Sequence, residues 1–134
     1  MPGRSVLVVG GSRGIGLEVA RQMAEDGDRV AITYRSGEPP FGLFAVRCDV
    51  TVPDDVERAF AAVEAEQGPA DVVIINAGVT RDCLLLRMAE EDWSATIETN
   101  LTGAYRCAKR AVRAMIRAPR GQAGLHLVSR RHGR

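Results

Sequence analysis

The chain has 134 residues, 46% hydrophobic and 26% charged, which suits one globular domain with a modest core and leaves too little sequence for two. Its 18 basic and 17 acidic residues nearly cancel to a formal charge of +1 and are spread along the chain, so neither a nucleic-acid footprint nor a membrane-surface patch is indicated. No apolar run spans a bilayer and "MPGRSVLVVG" lacks a signal-peptide core, so a cytoplasmic protein is expected; Cys48, Cys83 and Cys107 stand in no paired spacing, and His126 and His132 alone give no metal site.

"SVLVVG" is a short apolar run that breaks into glycines, and Ile15, Val19 and Met23 then recur at helical spacing: strand, turn, helix. Gly27 stops that helix, and "RVAITY" and "LFAVRC" are two further apolar, β-branched runs. Val56, Phe60 and Val63 mark a second helix, with Thr51 a candidate cap and Pro53, Asp54 and Asp55 suited to its first turn. Gly68-Pro69 ends it, and "DVVII" reads as a strand covered on both faces. One long helical stretch carries Trp93, Ile97, Ala104, Ala108, Val112 and Met115 as far as Pro119 and Gly121, and "LHLV" is a weakened fifth strand. Strands alternating with helices imply a doubly wound α/β sheet, with any ligand at the carboxyl ends of its strands.

"GGSRGIG", residues 10 to 16, lies where the first strand hands over to the first helix. Two readings are open: a tight turn that needs glycine's dihedral freedom, or a backbone that approaches a pyrophosphate at a helix N-terminus, with Gly10, Gly14 and Gly16 as candidates. A P-loop is disfavoured because no Gly-Lys-Ser/Thr follows. Arg35, at the end of the second strand, suits bidentate pairing with a ribose 2′-phosphate, where an acidic residue would favour NAD; a solvated surface arginine is the alternative.

The spacing Gly-x-x-x-Gly-x-Gly resembles the short-chain dehydrogenase/reductase motif, with Val9 in place of the usual threonine. "YR" at 34 and 35, "DV" at 49 and 50, "NAG" at 76 to 78 and "NLTG" at 100 to 103 come in the family's order. Within the family, "GLFAVRCDVT", "NAGVTRDCLLLRM" and "NLTGAYR" look like the 3-oxoacyl-acyl-carrier-protein reductases of fatty-acid synthesis, including the mycolic-acid type, from residue 5 to about 121. The resemblance implies a Rossmann fold of strand order 3-2-1-4-5, a single domain over residues 1–134 with a divergent tail from 121, and NADP(H) as cofactor. It implies that Ser12, Arg13 and Ile15 line the pyrophosphate and ribose, that Asp49 and Val50 flank the adenine, and that Asn76, Ala77 and Gly78 wall the adenosine ribose. Asn100, by itself readable as a helix-surface amide, becomes the candidate active-site asparagine. Cys48, Cys107 and the Leu84 to Leu86 run read as packing.

The family reduces its ketone with a serine, a tyrosine and a lysine, and "YRCAK" at 105 to 109 has the Tyr-x-x-x-Lys spacing. It comes too soon after Asn100: five residues place Tyr105 about 140° around the helix from Asn100, so the pair is expected on an outward face. Lys109 is the only lysine in the chain, and Tyr34 sits at the cofactor end of the second strand. The Ser/Tyr/Lys set is therefore expected to be missing, with Ser129 near the serine's place but lacking partners, and the reading frame is expected to be shifted or truncated after Gly121. The chain then reads as the cofactor-binding half of an acyl-carrier-protein-dependent reductase, homo-oligomeric in the intact family and inactive by itself. The rival readings are a non-catalytic dinucleotide- or partner-binding module, a non-functional gene product, and a polyketide or other short-chain ketoreductase.

Overall fold

The computed structural model describes residues 3–76, 89–97, 101–117 and 124–127. Its strands are β1 (Ser5–Val9), β2 (Arg29–Tyr34), β3 (Phe44–Arg47), β4 (Val72–Ile75) and β5 (Gly124–Leu127), and its helices are α1 (Gly14–Glu25), α2 (Pro53–Gln67), α3 (Glu90–Ile97) and α4 (Gly103–Arg117). The strands form one sheet in the order β3-β2-β1-β4-β5, every pair parallel, as the sequence predicts. β1 and β4 are buried at every residue, which explains why both read as continuous apolar runs without alternation.

Strand periodicity divides the core in two. Val6 and Val8 join Val30, Ile32, Val72 and Ile74 on the face covered by Ala20 of α1. Leu7 and Val9 turn to the other face, where Ala31, Val73 and Ile75 meet Val56, Ala59, Phe60 and Val63 of α2 and Cys107 and Ala111 of α4. Each fully buried large aliphatic side chain contributes about 1.5–3 kcal/mol relative to exposure. Burial pushes the Cys48 thiol up to about 11 and that of Cys107 up to about 12, so both are packing groups, as expected.

α2 starts one residue away from the expected cap. Pro53 occupies its first turn with Asp54 and Asp55, but the N-cap is Val52, which makes no side-chain cap. Thr51 is engaged elsewhere: its Oγ1 donates to Asp49 Oδ1 at 2.6 Å. α2 is joined to α4 by Arg110, whose guanidinium donates to Glu57 at 2.8 Å and to both oxygens of Glu64 at 2.8 and 2.9 Å, while lying 5.2 Å from the Phe60 ring centroid.

The expected long helix is described as α3 and α4, residues 98–100 lying outside the described set. α4 buries Gly103, Cys107 and Ala111, with Ala104, Ala108 and Met115 packed alongside. Trp93 and Val112, which fit the same spacing, are exposed. For Val112 the reason is a second apolar stripe: Tyr105, Val112 and Ile116 run along the outside of α4, in line with exposed Leu101 just before it, and spacing alone does not say which stripe faces the sheet. Ile15 likewise stands half-exposed at the start of α1, apart from Val19 and Met23 beneath it.

At the amino edge of the sheet, buried Gln67 closes a polar knot. Its Nε2 lies 3.0 Å from Ser5 Oγ, 3.1 Å from Val6 O and 3.0 Å from Arg29 O, so the end of α2 holds the starts of β1 and β2 together. Replacing Gln67 by leucine removes these donors and leaves buried acceptors unmet, a loss of about 1–3 kcal/mol. Thermal melts of Gln67→Leu should therefore show a midpoint several degrees lower; an unchanged midpoint would show that the knot contributes nothing.

Candidate cofactor-binding site

The candidate residues gather at the carboxyl edge of the sheet. Gly10 comes directly after β1; its N–H donates to Thr33 Oγ1 at 3.1 Å, and that of Gly11 to Thr33 O at 3.0 Å, so the glycine loop is fastened to the end of β2. Gly10 has φ +81° and Gly14 φ +63°, backbone that side chains with a Cβ rarely adopt. Gly16 is constrained by space instead: a Cβ there would stand 2.5 Å from Gly10 O and 2.6 Å from Asn76 Nδ2. Sequence reasoning missed Gly11, where a Cβ would meet Ile32 Cγ2 at 2.8 Å; the signal was the doubled glycine.

Arg13 is the N-cap of α1, extended and without a side-chain cap, and the first turn holds no acidic residue. Its leading N–H groups and the positive end of the helix dipole thus face the mouth of the loop, between half-buried Ser12 and exposed Arg13, Gly14 and Ile15. A phosphate fits this cradle on both counts, charge and donors.

Beyond β2 the exposed Arg35 accepts at its carbonyl a hydrogen bond from Arg47 Nε at 3.3 Å. The chain leaving β3 is fastened by Cys48 N–H to Tyr34 O at 2.9 Å and then turns at Asp49. Asp49 Oδ1 accepts from Thr51 Oγ1 at 2.6 Å and Thr51 N–H at 3.0 Å. These bonds first, and the Arg35 charge after them, hold the Asp49 carboxyl below the usual carboxylate range. Asp49 N–H donates to Asp55 Oδ2 at 2.7 Å, and this bond, followed by those from Arg58, lowers Asp55 too.

The Val50 side chain is buried beneath α4, at a place where a Cβ on Gly103 would come within 2.5 Å of Val50 Cγ2. Asn76 N–H donates to Val9 O at 2.8 Å, carrying β1–β4 pairing one residue past the strands, and its amide lies against Gly16. Gly10, Ser12, Arg13, Gly14, Ile15, Gly16, Arg35, Asp49 and Asn76 thus border one edge; Ala77, Gly78, Asn100, Cys83, the Leu84 to Leu86 run and Ser129 lie outside the described residues.

Tyr105 and Lys109 are exposed on the outer face of α4, as their angular position predicts. The Lys109 ammonium stands 5.8 Å from the Tyr105 ring centroid, over the ring. Among the described residues no His/Cys/Asp/Glu group is placed to hold a metal ion, and no helix is long and apolar enough to cross a membrane.

The short chain dehydrogenase family model matches residues 4–124. The chain belongs to this family. Among curated proteins it is 55% identical over 114 residues to the 3-oxoacyl-[acyl-carrier-protein] reductase MabA of Mycobacterium tuberculosis, covering 85% of this chain and 46% of the relative. To the corresponding reductase FabG of Staphylococcus aureus it is 37% identical over 130 residues, covering 88% of this chain and 53% of the relative. The chain therefore spans about half the length of the curated relatives it matches. Among solved structures, an actinorhodin polyketide ketoreductase variant with NADPH superposes with a TM-score of 0.86 at 31% identity, over 96% of this chain and 55% of that one. The short-chain family uses a nicotinamide dinucleotide, and the glycine cradle at the start of α1 fits one.

The two lowered carboxyls set an acid limit on the turn. A carboxyl whose pKa is lowered on folding stabilises the fold above its ordinary value near 4 and loses that contribution as pH falls through its folded value. Native chain should therefore lose urea resistance more steeply than Asp55→Asn, which lacks one of the two groups, as pH falls below about 4; parallel curves would mean that Asp55 carries no such linkage.

Proposed function

We propose that this chain binds NADP(H) along its carboxyl edge and forms the cofactor-binding half of a reductase that converts 3-oxoacyl thioesters on acyl carrier protein to 3-hydroxyacyl thioesters in the cytoplasm. The observation that carries the choice of NADP(H) is Arg35, an exposed guanidinium at the end of β2 near enough to lower Asp49, where a ribose 2′-phosphate would find a positive charge. The pyrophosphate would lie on the first turn of α1, and the adenosine between Arg35 and the Asp49-Val50 turn. The substrate class rests on likeness to the acyl-carrier-protein reductases, which exceeds likeness to the polyketide ketoreductase, at 55% against 31% identity. Assembly into homo-oligomers belongs to the same reading, supported by the exposed stripe of Leu101, Tyr105, Val112 and Ile116.

Keto reduction takes a hydride, which NADPH supplies when bound, and a proton for the developing alkoxide. The residues of the carboxyl edge bind and orient the nucleotide. Tyr105 and Lys109 do not serve as proton donor: Tyr105 lies two residues, about 200°, around α4 from buried Gly103. The 134-residue chain by itself is thus expected to hold nucleotide with negligible turnover, since a positioned general acid is worth about 10²–10⁴-fold.

Two measurements test this. Calorimetric titration should give tighter binding of NADP(H) than NAD(H), and Arg35→Ala should abolish a preference of roughly tenfold or more, as expected for a charged hydrogen-bonding partner; equal affinities in the native chain would remove Arg35 from the role. Assayed with acetoacetyl thioesters and NADPH, the chain should show no turnover above background and Tyr105→Phe should change nothing. Turnover abolished by Tyr105→Phe would make the outward pair the proton donor after all.

A further inference from the structure

The turn that leaves β3 depends on side chains brought to it from two helices. β3 is a four-residue edge strand, so the sheet itself does little to fix the chain beyond Arg47. Arg58 of α2 donates to Arg47 O at 2.6 Å, and Asp55 of α2 accepts from Asp49 N–H at 2.7 Å. The third support comes from 56 residues away: Arg106 of α4 donates from Nη1 to Val50 O at 3.2 Å. Gly103, one turn earlier, lets α4 come close enough, because a Cβ there would strike Val50.

The Val50 carbonyl and the Thr51 N–H belong to one planar peptide unit. Arg106 holds the oxygen of that plane, and the N–H of the same plane donates to Asp49 Oδ1 at 3.0 Å. Fixing the carbonyl therefore fixes the direction of one of the two donors that hold the Asp49 carboxylate, the other being Thr51 Oγ1. Asp55 holds the Cys48–Asp49 amide, two peptide units earlier, and so cannot set the rotation of the plane between Val50 and Thr51.

We propose that Arg106 is a positioning residue of the adenosine subsite: it orients the Val50–Thr51 peptide, and through it the Asp49 side chain, without touching the nucleotide. The proposal rests on the placement of the adenosine between Arg35 and the Asp49-Val50 turn. Arg106 reaches the turn directly, at Val50 O, whereas Arg110, on the same helix, ties α4 to Glu57 and Glu64 of α2.

The test uses the native chain, Arg106→Met, which keeps much of the stem but removes the donor, Arg106→Lys, which restores a donor, and Arg110→Ala as a control for loosening of α4. Two quantities are read: calorimetric affinity for 2′,5′-ADP, a probe of the adenosine end alone, and hydrogen exchange at the Thr51 amide. Loss of one hydrogen bond from a charged donor should weaken 2′,5′-ADP by roughly five- to tenfold in Arg106→Met. Thr51 exchange should rise in the same variant, Arg106→Lys should recover part of both, and Arg110→Ala should lower the melting midpoint while changing neither. If Arg106→Met does not fold, Arg106→Gln, too short to reach Val50 O, carries the same expectation. Native-like affinity and exchange without the guanidinium, or equal losses in Arg110→Ala, would overturn the proposal. A native chain that does not bind 2′,5′-ADP at all would instead overturn the cofactor placement, and Thr51 exchange would still report whether Arg106 orients the turn.

Discussion

The absence of one side chain, at Gly16, lets three parts of the fold meet. With a Cβ at this position, α1 would have to withdraw from Gly10 O and from the Asn76 amide, which stand 2.5 and 2.6 Å from where that atom would be. Because it has none, the first turn of α1 closes against the end of β1 and the residue just after β4. The consequence is chemical as well as steric. The uncapped N–H groups of α1 and its dipole are brought to the rim of the sheet, beside Arg35 and Asp49, where an anionic ligand can use them. Gly103 repeats the device at the next junction, where α4 settles on Val50.

These close approaches divide the molecule into two ends with different work. At the amino edge, Gln67, Ser5, Arg29 and Asp71 satisfy one another's polar groups and fasten the starts of the strands; Ser5 N–H, for example, donates to Asp71 Oδ2 at 2.9 Å. At the carboxyl edge, loops carry left-handed glycines and exposed cationic groups that stabilise little by themselves. The buried strands between the two ends, continuous from Val6 to Val9 and from Val72 to Ile75, hold the second in place on the rigidity of the first. Arg106 and Asp55 extend that rigidity to the Asp49 turn, which the short edge strand β3 does not supply.

Most of the architecture was legible because it depends on local pattern. Strands covered on both faces must be apolar throughout, and "SVLVV" and "VVII" are. The positions of Gly10, Gly14 and Gly16 came from the need for positive φ and close contact at one turn. Other features were not legible, for identifiable reasons. Thr51 has the composition of a cap, but a carboxylate two residues earlier competes for its hydroxyl. α4 carries two apolar stripes, and only the packed sheet decides that Ala111 is inside while Val112 is outside. That Gly103, more than fifty residues later in the chain, covers the Val50 side chain was not legible either. The Arg106 bond to Val50 has the same long-range origin, and nothing in either segment alone announces it.

The roles given to Gly16, Arg35, Asp49 and Arg106 all require one nucleotide to lie across the carboxyl edge, pyrophosphate on α1 and adenosine on the Asp49 turn. Backbone amide resonances of the isotope-labelled chain, recorded as NADP⁺ is added, locate that nucleotide residue by residue. Saturable shifts should concentrate at Gly10 to Gly16, Arg35, Asp49, Val50 and Asn76, with residues of the amino edge such as Ser5 and Gln67 unmoved. Shifts confined to the outer face of α4 around Tyr105 and Lys109, or none at saturating nucleotide, would contradict this placement.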